Sequence, residues 1–242
     1  MMKTQVEERF SDFYENWFCQ LEADLQILQA ASTESECEAL VAKLTAHHKA
    51  YYTAKWAAAH EDVLAFFMPV WLSPLENAHL WITGWKPSMA FRMVAALRQT
   101  KLADMTEAQR KKVEELRVRI RVEEEKVERE MERQQVAMAD RRMVELARMS
   151  SRVSGDETAT ARLDGMVEAA VKNLLAGLEK VMKMADCVRL RTLKGLLEAF
   201  SPKQSVDLLA ATSTLQIQLR SWGKNHESES GEVVQFVPPA GP

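Results

Sequence analysis

Trp71-Leu72-Ser73-Pro74-Leu75-Glu76-Asn77-Ala78-His79-Leu80-Trp81-Ile82-Thr83-Gly84-Trp85-Lys86-Pro87-Ser88 holds three of the six tryptophans of the chain and reads as a corner between two helices. Ser73 is placed to accept hydrogen bonds from first-turn amides, Pro74 sits where a missing N–H costs nothing, and Glu76 completes a capping box. A helix is therefore expected from about Pro74, with Leu75, Ala78, Trp81 and Ile82 on its apolar face. Gly84 is expected to close it in the left-handed conformation, and Pro87 to forbid its continuation. Met89, Phe91, Met93, Val94 and Leu97 start the next apolar stripe. Aromatic rings crowded about a forced turn point to a buried corner where several helices meet, the rival reading being an aromatic ligand pocket.

Upstream, Phe10, Phe13, Tyr14, Trp17, Phe18, Leu21, Leu25 and Leu28 recur at spacings of three and four, so a helix is expected from about Gln5 to Ala31. Asp12 and Glu15 flank Tyr14 and Trp17 on the margin of that stripe and offer an amphipathic edge to a partner. Thr33 and Glu36 form a second capping box. The stripe from Leu40 to Phe67 predicts one helix of more than 30 residues, roughly 50 Å, ending at Pro69. His47 and His48 are neighbours and so point to different parts of a helix surface, and no His-Glu-x-x-His pattern includes His60, so metal coordination is not indicated.

Downstream, Asp104 or Thr106 caps a stretch that contains no Gly or Pro as far as Met149. Between Glu107 and Arg133 nine acidic and nine basic residues alternate in blocks, pairing across a helix surface at i,i+3 and i,i+4. Val113, Leu116, Ile120, Val127, Met131 and Met138 give a narrow seam with polar gaps at Glu123 and Gln134. A solvated, charge-laced helix packed along one seam is expected, with coiled-coil self-association or a partner helix as the rival. A mobile linker is expected at about residues 150–160. The stripe from Leu163 to Phe200 must face a core. Ser201-Pro202 starts a last helix that Gly223 stops, and residues 224–242 form a polar tail without the means to order itself.

Few glycines and prolines, 8 and 7, favour an all-α fold: a bundle of long antiparallel helices with one extended charged helix, spanning residues 1–223 as one domain. A net charge of -3 gives no global attraction to nucleic acid or to an anionic membrane, and the acids among the Lys and Arg of the charged helix exclude a DNA-binding basic region. Cys19, Cys37 and Cys187 form neither a disulfide framework nor a zinc motif. With no signal-peptide core or apolar run of spanning length, the nucleus or cytoplasm is expected. There is no phosphate-binding glycine loop and no nucleophile elbow, and the carboxylates sit in charge runs rather than apolar pockets. No enzyme is read.

The Leu-Trp-Ile-x-Gly-Trp-Lys-Pro-Ser core of the corner, built on Trp81, Gly84, Trp85, Lys86, Pro87 and Ser88, resembles the signature of the plant seed-dormancy-control domain. That domain occurs in Delay-of-Germination proteins and in the C-terminal half of TGA-type bZIP transcription factors. The blocks Phe10 to Trp17, His48 to Lys55 and Leu219 to Gly223 follow in the family's order. The resemblance implies a non-enzymatic regulatory module acting by protein contact in seed dormancy and abscisic-acid signalling. It also implies contact with protein phosphatases of that pathway through Asp12, Tyr14, Glu15 and Trp17, which stand where the dormancy-regulator branch has an Asp-x-Tyr-x-x-Trp-like motif. The likeness to TGA factors implies a transcription-associated regulator as the alternative. Those factors place a basic region and zipper before the domain, whereas here the first helix starts near Met1, so DNA is expected to be reached only through a partner such as a bZIP factor. Haem enters by family analogy alone: it is held there by histidines toward the C-terminus, where this sequence has only His226.

Overall fold

The computed structural model describes residues 3–30, 33–151 and 157–232. Among them nine helices and no strand occur: α1 Gln5–Ala30, α2 Glu34–Glu61, α3 Leu64–Phe67, α4 Pro74–Ala78, α5 Ser88–Leu97, α6 Glu107–Ala137, α7 Arg141–Ser150, α8 Glu157–Ala199 and α9 Pro202–Glu232. The chain is an all-α bundle. α1 and α2 run antiparallel, as shown by contacts that step in opposite directions: Arg9 with Glu61, Trp17 with His47, and Asp24 with Lys43. α6 and α8 do the same through Glu123 with Arg191 and Glu130 with Lys180.

Two cores result. The first, between α1, α2 and α9, is aromatic and holds Phe10, Tyr14, Trp17, Phe18, Phe66 and Trp71. The second, between α5, α6 and α8, is mainly aliphatic and holds Val113, Leu116, Ile120, Val127, Val188 and Leu196. α8, about 65 Å long at 1.5 Å per residue, serves both. Met182 faces the first core and its neighbour Val181 the second, and both are fully buried.

The capping boxes at Ser73, Thr33 and Thr106 are all formed, and Ser201 and Gln204 exchange the same pair of hydrogen bonds at the start of α9. Two of the long helices, α2 and α6, are shorter than their periodicity predicts. α2 stops at Glu61 because the Asp62 carboxylate accepts from the amides of Leu64 and Ala65, at 3.1 and 3.4 Å, and so starts α3. Likewise Asp140 accepts from the Met143 amide at 2.8 Å and separates α7 from α6. An Asp that caps forward competes with the helix passing through it. The seam of α6 lies against α8, where a gap at Gln134 is received by Gly177. At the other end, α9 runs through Gly223 to Glu232, so the stop expected there is absent. Residues 152–156 of the linker expected at 150–160, and the tail beyond Glu232, lie outside the described residues.

Candidate functional site: a buried charge cluster beneath the signature loop

α4 ends at Ala78, and the chain then turns irregularly to Pro87 instead of continuing as a helix through Trp81. The left-handed residues are Ile82, φ 40°, and Thr83, φ 60°, not Gly84. Both are β-branched, and such conformations cost about 1 to 3 kcal/mol each unless the surroundings hold them. Here they are held. Arg189 of α8 donates to the carbonyls of Trp81, of Ile82 at 2.7 Å and, through Nε, of Trp85 at 2.7 Å. Lys55 of α2 donates to the carbonyl and to the hydroxyl of Thr83, each at 3.0 Å, and the Trp81 amide closes the turn on the Gly84 carbonyl at 2.7 Å. Every carbonyl from Trp81 to Trp85 has a donor.

Asp186 ties the two cations together. One carboxylate oxygen takes Lys55 at 2.9 Å and Arg189 at 2.6 Å, and the other takes the Trp56 indole N–H at 3.0 Å. All three charged side chains are at most 1% exposed. The cluster carries one net positive charge, balanced by the dipoles of the loop carbonyls. Burial, with Arg189 nearby, lowers the Lys55 pKa to about 8 against the opposing pull of Asp186. Gly84 matters here for its size: a Cβ would lie 2.9 Å from the guanidinium carbon of Arg189.

The corner's rings are only partly core. Trp71 is buried, Trp81 is half-buried and Trp85 is exposed. Trp81 lies between Arg189 and Lys86, with ring distances of 5.3 and 5.7 Å, and donates to Glu128 at 2.9 Å. Lys86 pairs with the same carboxylate at 2.7 Å. Pro87 precedes α5, whose first amide, from Ser88, donates to Glu124 at 2.6 Å. Burial raises the Glu124 pKa. Lys55 spends its three donors on the loop and Asp186, so the cluster has the chemistry of a clamp rather than of an acid, base or nucleophile.

A second buried arginine joins the remaining blocks. Arg220 of α9 donates to the Trp71 carbonyl at 3.0 Å and to Glu15, lies 3.7 Å from Glu76, and stacks over Tyr14 and Phe18 at 5.0 and 4.8 Å. Its Nε is buried without a partner among the described residues. One turn further on, Gly223 lets α9 press onto the corner, since a Cβ there would lie 2.1 Å from Ser73 Oγ.

The profile described as seed dormancy control, DOG1, matches residues 18–96. The chain is 57% identical over 227 residues to Protein DOG1-like 4 of Arabidopsis thaliana, covering 92% of this chain and 95% of that protein. It belongs to the DOG1 family. From the same plant, Protein RESPONSE TO ABA AND SALT 1 is 28% identical over 234 residues, covering 91% of this chain and 97% of that protein. Transcription factor TGA5 is 26% identical over 194 residues, which is 80% of this chain and 56% of TGA5. DOG1-family proteins are generally non-catalytic regulators.

Of the four first-helix residues read as a contact motif, the structure separates two from two. Tyr14 and Trp17 are buried, Trp17 stacking on His47 at 4.7 Å and donating to its carbonyl at 3.1 Å. Asp12 and Glu15 are exposed; Glu15 meets Arg220 and, at 3.7 Å, Lys224. The sequence reading missed Lys55, Asp186, Arg189 and Arg220. Lys55 closes one of the resemblance blocks and Arg220 lies in another, but Asp186 and Arg189 sit in a long helical stripe whose charges read as solvated. For haem the fit fails. His226 is exposed on α9, and three surface clefts of about 620 to 770 Å³ have no histidine in their linings. Among the described residues no helix is long and apolar enough to cross a membrane.

Proposed function

We propose that this DOG1-family chain is a non-enzymatic regulator that acts through protein contacts in plant seed dormancy and abscisic-acid signalling, in the nucleus and cytoplasm. The contact surface is the exposed margin of α1, Asp12 and Glu15, presented by a helix that Tyr14 and Trp17 lock into the aromatic core. The partners this reading implies are protein phosphatases of the abscisic-acid pathway. The observation that carries it is the division of that motif into a buried aromatic half, which fixes the helix, and an exposed acidic half. Aromatic anchoring of this kind leaves little motion to lose on binding. The name of the relative associated with the response to abscisic acid and salt supports the same pathway. Calorimetric titration of the purified chain with such phosphatases tests it: saturable binding that charge substitution at Asp12 weakens is expected, and no binding to any of them would refute it.

The likeness to TGA5 across 80% of this chain supports a second reading, a transcription-associated regulator that reaches DNA through a bZIP partner. The isolated chain should then show only weak, salt-sensitive association with DNA. Nanomolar, sequence-selective binding at physiological salt would contradict it.

A further inference from the structure

α5 and α6 lie side by side and antiparallel. The Ser88 amide at the start of α5 reaches Glu124, Lys86 just before it reaches Glu128, and Arg98 beyond its far end lies beside Arg110. Between the two helices runs a cleft of about 650 Å³ with Phe91, Val94, Ala95 and Val113 along its floor. Ala95 is exposed and too small to close the space. A second cleft, of about 770 Å³, shares Arg98, Arg110 and Glu114 with the first and reaches the exposed Val118. Together they form one groove that follows α6 from Glu128 to Glu107, about 30 Å at 1.5 Å per residue.

The charges on the rims of this groove are sorted. Arg110, Arg117 and Arg121 fall within about 40° of one another around α6, and Arg92 and Arg98 line the opposite rim on α5. The carboxylates that meet the three α6 arginines, Glu107, Glu114 and Glu125, stand on the outer margin of that row, and pairs as exposed as these hold their side chains weakly. Arg92 and Arg98 are exposed, with no ion pair among the described residues. At the other end of the cleft Glu124 and Glu128 are taken up by the Ser88 amide and by Lys86 with Trp81. What remains open is an arginine-rimmed channel over an apolar floor.

We propose that the α5–α6 groove binds an acidic, amphipathic peptide segment of a partner protein, its carboxylates on the arginine rims and its large apolar side chains over the floor. The arginine fork takes carboxylates two oxygens at a time, and arginine clusters are a recurrent means of recognising acidic motifs. The length of the groove suits a chain rather than a compact metabolite. A polynucleotide fits less well, because Glu114 and Glu125 along the rim would face its phosphates and no exposed aromatic ring lines the groove to stack its bases. No residue of α1 lines the groove, so this contact is separate from the one proposed for Asp12 and Glu15.

The full-length protein is titrated, at physiological salt, into a fluorescein-labelled peptide in which Asp and Glu alternate with Leu and Phe, and binding is read by fluorescence polarisation. A dissociation constant on the order of 10 to 100 μM is expected. Peptides with Asn and Gln in place of the acids, or with Ser in place of Leu and Phe, should bind at least tenfold more weakly. The double variant Arg92→Glu with Arg98→Glu changes only exposed side chains without ion pairs, and Ala95→Phe fills the floor from an exposed position. Both should keep the helical circular dichroism of the wild type and bind the acidic peptide at least tenfold more weakly. The proposal is overturned by absence of binding up to about 1 mM, by equal binding of the Asn and Gln peptide, by both variants binding like the wild type, or by a single-stranded oligonucleotide binding more tightly than the peptide.

Discussion

Arg189 and Arg220 are both buried, both reach from a late helix to the signature corner, and both hold backbone carbonyls, yet their surroundings differ. Arg189 has an equally buried Asp186, a companion cation in Lys55 and a set of loop carbonyls with no other donor among the described residues. Arg220 keeps an unpartnered Nε and sends one end out to Glu15, which solvent reaches. The first is a closed network that fixes a strained loop, and the second is a strut between the core and the exposed edge of α1. Buried ionic groups are costly to isolate, so the closed network should be the more fragile of the two.

Asp186→Ala leaves Lys55 and Arg189 charged and buried, and should cost about 3 to 5 kcal/mol in urea unfolding. Arg220→Met should cost less, about 1 to 3 kcal/mol, because removing a donor that already lacks a partner recovers some desolvation. Equal losses would erase the distinction between clamp and strut.

The two glycines extend it. Gly84→Ala forces a methyl group against the Arg189 guanidinium, and Gly223→Ala forces one against Ser73; each should destabilise by about 1 to 3 kcal/mol through overpacking. At Gly223, inside α9, helix propensity alone favours Ala by about 1 kcal/mol, so a stabilised Gly223→Ala variant would show that α9 does not press on the corner as described.

A gentler probe is pH. In the unfolded chain Lys55 holds its proton up to its ordinary value of 10.5, whereas in the fold it releases it near 8. Between those values the unfolded state binds more protons, so this group makes stability rise with pH. The buried tyrosines Tyr51 and Tyr52, raised above their ordinary value of 10.0 by burial, act in the opposite direction only above about pH 10. Unfolding free energy measured from pH 8 to 10 should therefore carry a positive contribution that Lys55→Met abolishes. Identical slopes in the two proteins would place the Lys55 amine outside the network.

Much of this architecture was legible. The periodicity of α1, the capping residues Thr33, Ser73 and Thr106 and the Ser201-Pro202 restart act over a few residues, and local signals of that kind survive folding. Gly84 and Gly223 were misread because glycine serves either conformation or space, and only tertiary contact distinguishes them. Asp62 and Asp140 break helices whose apolar stripes continue across them, a competition that periodicity cannot register. The charge cluster was hidden for a similar reason: Asp186 and Arg189, three residues apart on α8, have the spacing of an ordinary surface pair, and nothing local shows that Lys55 and the loop carbonyls close over them. In the contact motif the sequence identified the residue types but could not separate anchors from surface.

That separation also ranks the mildest substitutions. Glu15 supports Arg220, so Glu15→Ala should lower the melting temperature as well as any binding, and it cannot isolate the contact. Asp12 is exposed and has no ion pair or hydrogen bond among the described residues. Asp12→Ala should change stability by no more than about 0.5 kcal/mol. The decisive measurement is therefore the affinity of Asp12→Ala for an abscisic-acid-pathway phosphatase, beside its thermal midpoint. The account predicts an unchanged midpoint and binding weakened by more than about tenfold, roughly 1.4 kcal/mol; wild-type affinity at an unchanged midpoint would contradict it and remove the contact from this helix.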